Sequence, residues 1–481
     1  MNSTCFSRRN FLRTTACGFG ALAFGALAQR AGAASQLSPR PPMHAPRAKR
    51  VIFLFMQGGP SQVDLFASKP LLERDHGKPI PFTIPEGMAE DGIENSKLLK
   101  PIAGVRQHGE SGMWFGDLLP HTGRLVDDIC LLNGMVADNP AHPPAVLQLH
   151  TGHTQGAHPS FGSWVSYGLG TENENLPGFI TIAPQFTGDG GGSHLFHSGY
   201  LPAMHQGTAV GIGQEEPLAD AMAPMDSISY LERNDLPPSE QKRQLDFIRR
   251  LNRDLSPRAP ADPRIDGMIE AMDLAFRMQT AAPQLFGLGG ESEATKALYG
   301  IGDKTTDQFG KRCLLARRLV EAGVRFVQVN LGGWDHHNNI RANLPKACAT
   351  MDKPVAGLLT DLKARGLLND TLVLWSGEFG RSPYDQDITG GKGAPDTYGR
   401  GHNPHGFSCW LAGGGVKGGY THGATDDYGY RAVSGKVHLH DLHATMLHLL
   451  GLDHEKLTYR HAGRDFRLTD VYGGVVKEII A

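Results

Sequence analysis

The chain has 481 residues, of which 40% are apolar and 20% are charged, a composition typical of a globular protein with a large core. Its 47 basic and 49 acidic residues leave a net charge of -2, which excludes binding to nucleic acid or to an anionic membrane through overall charge. Any partner must therefore be recognised by a local site.

Residues 1–34 have the features of an export signal. Arg8 and Arg9 precede an uncharged run rich in Ala and Gly, residues 14–28, and a small-x-small cleavage site follows at residues 31–33. This pattern indicates a twin-arginine signal peptide, an address read by a receptor rather than a membrane anchor. A transmembrane helix needs about 20 strongly apolar residues, and this run is shorter. We therefore expect the twin-arginine translocase as a partner during export, a periplasmic or extracellular location, and no stable membrane insertion.

The remaining chain is predicted to form one α/β domain. Residues 35–48 are rich in proline and basic residues, as linkers are, so the domain is expected to span residues 49–481. Periodicity weakens in residues 173–300, which we interpret as a cap or insertion over the edge of the sheet. No separate second domain is predicted.

Three apolar runs, residues 50–56, 324–331 and 371–375, predict strands that are buried on both faces. Each run leads into a polar loop that contains glycine. Residues 309–322 and 351–365 have helical periodicity and precede the second and third runs. Because helix and buried strand alternate, we predict a three-layer α/β/α sandwich with a mostly parallel central sheet. Ligands bind beyond the carboxyl ends of strands in such sheets, so the three loops form the expected site.

The loop after the second run contains a candidate metal-binding pair. Asp335 and His337 lie two residues apart at the end of a strand, and alternate side chains of an extended chain point to the same side. Carboxylate and imidazole groups placed in this way can bind one ion. The alternative is a turn of solvated polar residues.

Two further loops add candidates. Glu378 ends the third run and can bind a metal ion, and Arg381 can hold an anionic substrate oxygen, unless these two residues only pair with each other. His402 and His405 lie in a loop of Gly and Pro, where packing does not readily satisfy an imidazole. We expect at least one of them to be a ligand. His443, on a later helix, is instead predicted to be a packing or surface residue.

In this order, the segments resemble the alkaline phosphatase superfamily, which includes sulfatases, phosphodiesterases and phosphopentomutases. TLVLWSGEFG is similar to that superfamily's strand ending in Asp-His-Gly, and HGFSCWLAGGGVKGG is similar to the segment that follows it. A closer resemblance covers essentially the whole mature chain. It is to the exported family called domain of unknown function 1501, on the motifs GGPSQVD, HPSFGSWVSYGLG, GGWDHH, EFGRSP, AGGGVKGG and GATDDYG.

The superfamily resemblance implies a first metal site formed by Asp335 and His337 with His402 or His405. It also implies a second metal site, at which this chain departs from the pattern because Phe379 replaces the expected His.

Two other departures concern carboxylates. Glu378 stands where the second site has an Asp. Gln57 ends the first strand, where the superfamily has a metal-binding Asp, and Asp64 comes seven residues later as a candidate substitute.

The superfamily nucleophile corresponds here to His142, and the chain has no Cys-x-Pro-x-Arg or Ser-x-Pro-x-Arg motif, so a conventional sulfatase is not expected. Three mechanisms stay open, in order of preference. A metal-bound hydroxide attacks directly, His142 attacks or serves as an extra ligand, or Ser61 in the GGPS turn is the nucleophile.

These expectations define an exported metal-dependent hydrolase of phosphate or sulfate esters, with a small-molecule or polysaccharide ester as substrate. The expected cofactor is a divalent metal ion, zinc first, with calcium or manganese as alternatives. The competing interpretation is a catalytically degenerate superfamily member that binds anions or a partner protein. Fold alone does not separate the two, because function depends on the site.

Overall fold

The structure is a computed structural model that describes residues 37–85, 93–183, 192–211, 236–255, 263–386 and 397–481. The predicted signal peptide lies outside the described residues. Residues 37–48, within the predicted linker, run along the domain: Arg40 N donates to Leu169 O at 2.9 Å, and Ala48 N donates to Leu449 O at 2.9 Å. This segment is therefore packed against the domain rather than separate from it.

The strands are β1 (Arg50–Met56), β2 (Val105–His108), β3 (Met113–Gly116), β4 (Ile129–Val136), β5 (Phe179–Ile182), β6 (Thr208–Val210), β7 (Phe326–Leu331), β8 (Thr371–Ser376), β9 (Gly380–Gln386), β10 (Gly399–Asn403), β11 (Phe407–Ala412), β12 (Tyr420–His422), β13 (Ala424–Thr425), β14 (Ala432–Ser434), β15 (Val437–His438), β16 (Tyr459–His461) and β17 (Arg464–Phe466). The α-helices within the described ranges are α1 (Gln62–Leu65), α2 (Pro70–Arg74), α3 (His142–Thr151), α4 (Phe161–Leu169), α5 (Pro238–Leu255), α6 (Pro263–Phe286), α7 (Glu293–Leu298), α8 (Asp307–Glu321), α9 (Ile340–Ala364) and α10 (Leu439–Leu449).

The central sheet has the strand order β12-β4-β11-β8-β1-β7-β5-β6, and β15 also pairs with β4. β1 is parallel to both β7 and β8, and β5 is parallel to β6 and β7. β11 is antiparallel to β8 and β4, so β4 runs in the same direction as β1. The carboxyl ends of β1, β4, β7 and β8 therefore lie at one edge of the sheet.

Alternate residues of β1 face opposite helical layers, as expected for a strand buried on both faces. Ile52 and Leu54 belong to a core cluster with residues of α8 and α9. Phe53 and Phe55 belong to a second cluster with residues of α3, α4 and α10. The predicted three-layer α/β/α sandwich with a mostly parallel sheet is confirmed.

The range 173–300 contains more of the sheet than an added cap would. β5 and β6 lie inside this range and extend the central sheet beyond β7. Helices α5 and α6 follow and contact each other, with Arg249 paired to Asp273. Among the residues that the structure describes, no helix has the length and apolar character needed to cross a membrane.

Candidate metal centre

Three parts of the chain bring a carboxylate and three imidazoles together at the carboxyl edge of the sheet. Asp335 and His337 follow β7, and His142 begins α3 a few residues after β4. His402 lies in β10, which pairs with β9 through a register shift between Arg400 and His402. Such bulges re-aim side chains and are common beside functional sites.

The three imidazoles converge on a single carboxylate oxygen, Oδ1 of Asp335. His337 Nε2 lies 2.8 Å from this atom, His142 Nε2 lies 3.3 Å from it and His402 Nε2 lies 3.6 Å from it. One ligand atom from each of the four residues lies within 4.8 Å of every other. The Asp335 side chain is 41% exposed, so the cluster is open to solvent on one side.

Hydrogen bonds at the far side of two rings orient their Nε2 atoms. His142 Nδ1 lies 2.6 Å from Glu378 Oε1, and His337 Nδ1 contacts Gln386 Oε1. With Nδ1–H donating to each acceptor, a neutral ring presents the Nε2 lone pair to the cluster. Ligating histidines are commonly oriented in this way, by a carboxylate or carbonyl behind the ring.

The charges of the cluster explain the shifts in its pKa values. Burial lowers the pKa of His142, but hydrogen bonds and negative charges of Asp335 and Glu378 outweigh it and raise this pKa to about 9. Burial raises the pKa of Asp335, but hydrogen bonds from the three histidines and the charge of Arg381 hold it well below its usual range. Burial lowers the pKa of His402 to about 3. Without a metal ion, His142 therefore carries a proton and His402 is neutral beside the negative charge of Asp335, and a bound cation would take the place of the His142 proton.

These residues fit a divalent cation. The Nε2 atom of His142 is buried and makes no hydrogen bond of good geometry within the described chain. Lone pairs of imidazole and carboxylate that face one another repel unless a proton or a cation lies between them. Zinc binds such ligands at about 2.0–2.2 Å, which requires ligand atoms within about 4.4 Å of each other. Small inward movements of the four side chains would reach that spacing.

The Gly58-Gly59 turn after β1 lets the backbone approach the cluster. Gly58 has φ +116°, and a Cβ atom there would lie 2.4 Å from Asp335 N. Gly58 N also donates to both carboxylate oxygens of Glu378, at 3.0 and 3.1 Å. The turn therefore positions Glu378, which in turn orients His142. A Cβ at Gly59 would lie 2.8 Å from the Phe379 ring.

Arg381 is fully buried and holds Asp335 in place. Its Nε donates to Gly59 O at 3.0 Å and its Nη1 to Arg400 O at 3.0 Å. Its Nη2 donates to Asp335 Oδ1 at 2.5 Å and also contacts Gly58 O. Arg381 pairs with Asp335 and not with Glu378, the pairing considered from the sequence. Each guanidinium nitrogen already has a protein acceptor.

Asp64 and Ser61 lie outside the cluster and form a separate buried network. Arg400 donates to both carboxylate oxygens of Asp64, at 2.8 and 3.0 Å. Ser61 Oγ donates to Asp64 Oδ2 at 2.5 Å, and Ile102 N donates to Oδ1 at 2.9 Å. Because a fully buried carboxylate needs such partners, this arrangement accounts for Asp64 without a metal ion.

The remaining predicted residues lie beside the cluster. The Phe379 ring packs against both His142 and His402, with ring centroids 4.8 and 4.5 Å away. His405 is not part of the four-residue cluster; its ring lies 5.6 Å from that of Tyr430. Of the two histidines in this loop, His402 is the one that reaches Asp335.

No sequence pattern indicates two of the supporting contacts. Gln386 lies at the end of β9, and its amide oxygen contacts His337. The second contact is made by the backbone N–H of Gly58, which binds Glu378. A contact made by the backbone cannot be predicted from the type of side chain. Only the family resemblance predicts His142 at the site, since its local sequence is that of a helix start, with Pro143 in the first turn.

A cavity of about 760 Å³ lies away from the cluster, between α5, α6 and the segment 203–208. Its lining, which includes Met204, Leu245 and Met272, has no titratable side chain. It therefore offers no groups for acid–base or metal chemistry.

The fold and the cluster define a three-layer α/β/α protein with a candidate metal centre at the carboxyl edge of its sheet. The chain belongs to the family described as "Protein of unknown function (DUF1501)", whose profile matches residues 48–480. No curated protein matches the chain in sequence.

Several solved structures are distantly similar to the chain. The alkaline phosphatase from the Antarctic bacterium TAB5 is 10% identical, with 84% of this chain and 98% of that chain covered and a TM-score of 0.35. The PsFucS1 sulfatase from Pseudoalteromonas sp. is 14% identical, with 84% and 68% covered and a TM-score of 0.33. The lipoteichoic acid synthase LtaP from Listeria monocytogenes is 10% identical, with 90% and 78% covered and a TM-score of 0.34. Similarity at this level says nothing about activity.

Proposed function

We propose that this protein is an exported hydrolase of phosphate or sulfate esters that works with one divalent metal ion. Zinc is the ion that we expect. The observation that supports this most strongly is the convergence of His142, His337 and His402 on one oxygen of Asp335. When bound, such an ion supplies a Lewis acid that activates water and polarises an ester. The exposed side of Asp335 leaves the access to solvent that a substrate needs.

The surrounding residues have positioning roles in this proposal. Arg381 holds Asp335, and Glu378 holds His142, in each case from a fully buried position. Neither side chain is free to meet a substrate. We therefore assign Arg381 to the support of the metal ligand rather than to the binding of a substrate oxygen.

The contacts also order the three candidate mechanisms. His142 faces Asp335 beside two other imidazoles, which supports a role as a ligand over one as a nucleophile. Ser61 is 1% exposed and its hydroxyl donates to Asp64, so a nucleophilic role is disfavoured. These contacts leave water as the nucleophile that we propose, with the metal, if bound, supplying the Lewis acid, and we expect Ser61→Ala to retain activity.

The test combines metal analysis with activity. The full chain, exported through its own signal, is assayed for metal content and for turnover of aryl phosphates, phosphodiesters and aryl sulfates. We expect near-stoichiometric metal and turnover in the wild type, both lost in Asp335→Ala/His337→Ala. The control is Asp465→Ala/His461→Ala, a matched exposed pair in the β16–β17 hairpin. Recovery of the protein from the periplasm or medium tests export at the same time.

Two outcomes would contradict the proposal. Metal that binds without turnover of any ester favours the degenerate, ligand-binding interpretation. Wild-type protein that contains no metal and turns over no ester would contradict both the metal centre and the hydrolase function.

A further inference from the structure

A second cavity, of about 320 Å³, borders the loops that carry two of the candidate metal ligands. Asp138 lines it four residues before His142, and His405 lines it three residues after His402. Three residues of chain span at most about 11 Å, so His405 lies within that distance of His402. Ala137 N donates to Pro404 O at 2.9 Å, which joins the two loops directly. The cavity is therefore next to the metal centre.

The charge of the cavity lining is positive. Arg431 and Lys436 both line it, and both are exposed. Arg431 Nη2 donates to Thr83 O at 2.7 Å, which holds its guanidinium in place. Lys436 has no ion-pair partner in the part of the chain that the structure describes. Two cations against one carboxylate leave a net positive charge in the lining, which attracts an anion.

The lining also contains one carboxylate, Asp138, which cancels only one of the two positive charges. Asp138 Oδ1 lies 3.0 Å from His438 Nε2, and Gln148 Nε2 also donates to the Asp138 carboxylate. By contrast, the Nε2 atom of His405 is buried and has no hydrogen-bond partner among the described residues. The cavity thus combines two cations with an unused imidazole nitrogen, which suits a tetrahedral oxyanion.

We propose that this cavity is a second anion-binding subsite, which holds a neighbouring sulfate or phosphate group of a substrate whose reacting ester lies at the metal centre. The presence of a reacting ester at the metal centre rests on the proposed hydrolase function. Binding of an anion in the cavity does not depend on that function. The volume lies at the lower end of the range for ligand pockets, about 300–1,000 Å³, and suits one anionic group with part of a ring. The substrate class is therefore esters with at least two anionic groups.

The first experiment does not depend on activity. Binding of inorganic sulfate, and separately of inorganic phosphate, is measured by calorimetry on the full chain after removal of metal with EDTA. We expect one anion per chain, and about tenfold or more weaker binding in Arg431→Ala/Lys436→Ala. The matched control, Lys456→Ala/Arg460→Ala, removes two exposed cations away from the cavity and should bind as the wild type does. The two anions show whether sulfate or phosphate is the better ligand.

Absence of binding by the wild type, or equal weakening in both double variants, would overturn the subsite. A second experiment then links the subsite to the reaction. We expect KM for glucose 1,6-bisphosphate to rise about tenfold in Arg431→Ala/Lys436→Ala, with KM for glucose 6-phosphate unchanged. An equal rise for both compounds contradicts the link. If no ester is turned over, the hydrolase proposal fails while the calorimetry still decides the subsite.

Discussion

Glu378 and His142 lie 236 residues apart in the chain, yet Oε1 of Glu378 and Nδ1 of His142 are 2.6 Å apart in a buried contact. The same carboxylate accepts a bifurcated hydrogen bond from the single N–H of Gly58. Glu378 thus connects the end of β1 to the start of α3 and sets the direction of His142 Nε2. From the sequence, the position of Glu378 after β8 predicts that it is a metal ligand. Its contacts are instead those of a residue that orients a metal ligand.

Glu378→Gln should weaken metal binding about 10- to 100-fold while the protein stays folded. Glutamine retains an oxygen that accepts a hydrogen bond but removes the charge that favours His142 beside the ion. Competition with a chelator measures the affinity, and Glu293→Gln, on the exposed surface of α7, is the control. An unchanged affinity would show that Glu378 has no role in orienting the ligand.

Gly58→Ala should destabilise the fold and reduce metal content, because the new Cβ would lie 2.4 Å from Asp335 N. Gly302→Ala separates the two causes, since Gly302 also has a positive φ, +95°, but nothing within 4 Å of an added Cβ. We expect Gly302→Ala to lower the free energy of unfolding by about 1 kcal/mol or somewhat more and to leave metal content intact. If Gly58→Ala and Gly302→Ala had equal metal content, the result would contradict the close approach of the Gly58-Gly59 turn to Asp335.

Asp64→Asn distinguishes a structural carboxylate from a metal ligand. Loss of one partner of a buried ion pair leaves the charge of Arg400 uncompensated and should lower the free energy of unfolding by about 3–5 kcal/mol. The metal content of the folded protein should not change. Chemical denaturation and metal analysis on the same sample measure both quantities, and metal loss with unchanged stability would make Asp64 a ligand.

Much of the fold could be predicted from the sequence because the central strands are continuous apolar runs. β1, β7 and β8 each lead into a polar loop, and parallel strands bring such loops to one edge. The placement of Asp335 and His337 follows from this rule, since they come directly after β7. His402 required the structure, because a Gly- and Pro-containing segment with two histidines, predicted to be a loop, does not show which histidine faces inward; His402 lies in strand β10.

The supporting residues could not be predicted, because their partners are distant in sequence. Arg400 and Asp64 are 336 residues apart, and no local pattern indicates that they pair. The guanidinium of Arg381 is a group that commonly binds anions, but the burial of Arg381 depends on the pairing of β9 with β10. Side-chain direction in such a network is decided by tertiary packing, which periodicity does not report.

Acid should destabilise the protein through the buried histidines of α3 and α10. Burial lowers the pKa of His443 to about 3 and that of His150 to about 4. Below pH 6.5 the unfolded chain takes up protons at these residues and the folded chain does not, so stability present above pH 6.5 is lost as pH falls toward 4. Each histidine contributes a slope of about 1.4 kcal/mol per pH unit in the lower part of this window.

His443→Gln can keep the hydrogen bond to Leu149 O, which His443 Nε2 makes at 2.8 Å, and it removes one titrating group. Urea denaturation between pH 7.5 and 4.5 should therefore show a shallower loss of stability than in the wild type. The exposed His461→Gln is the surface control. An identical slope in His443→Gln and the wild type would mean that His443 is not kept neutral by the fold.

The most direct measurement of the central claim is the anomalous scattering of crystals of the zinc-loaded full chain. The account predicts one zinc peak per chain, about 2.0–2.2 Å from the Nε2 atoms of His142, His337 and His402 and from one carboxylate oxygen of Asp335. A zinc-loaded crystal with no peak among these four side chains, or with its peak at Asp64 or His405 instead, would contradict it.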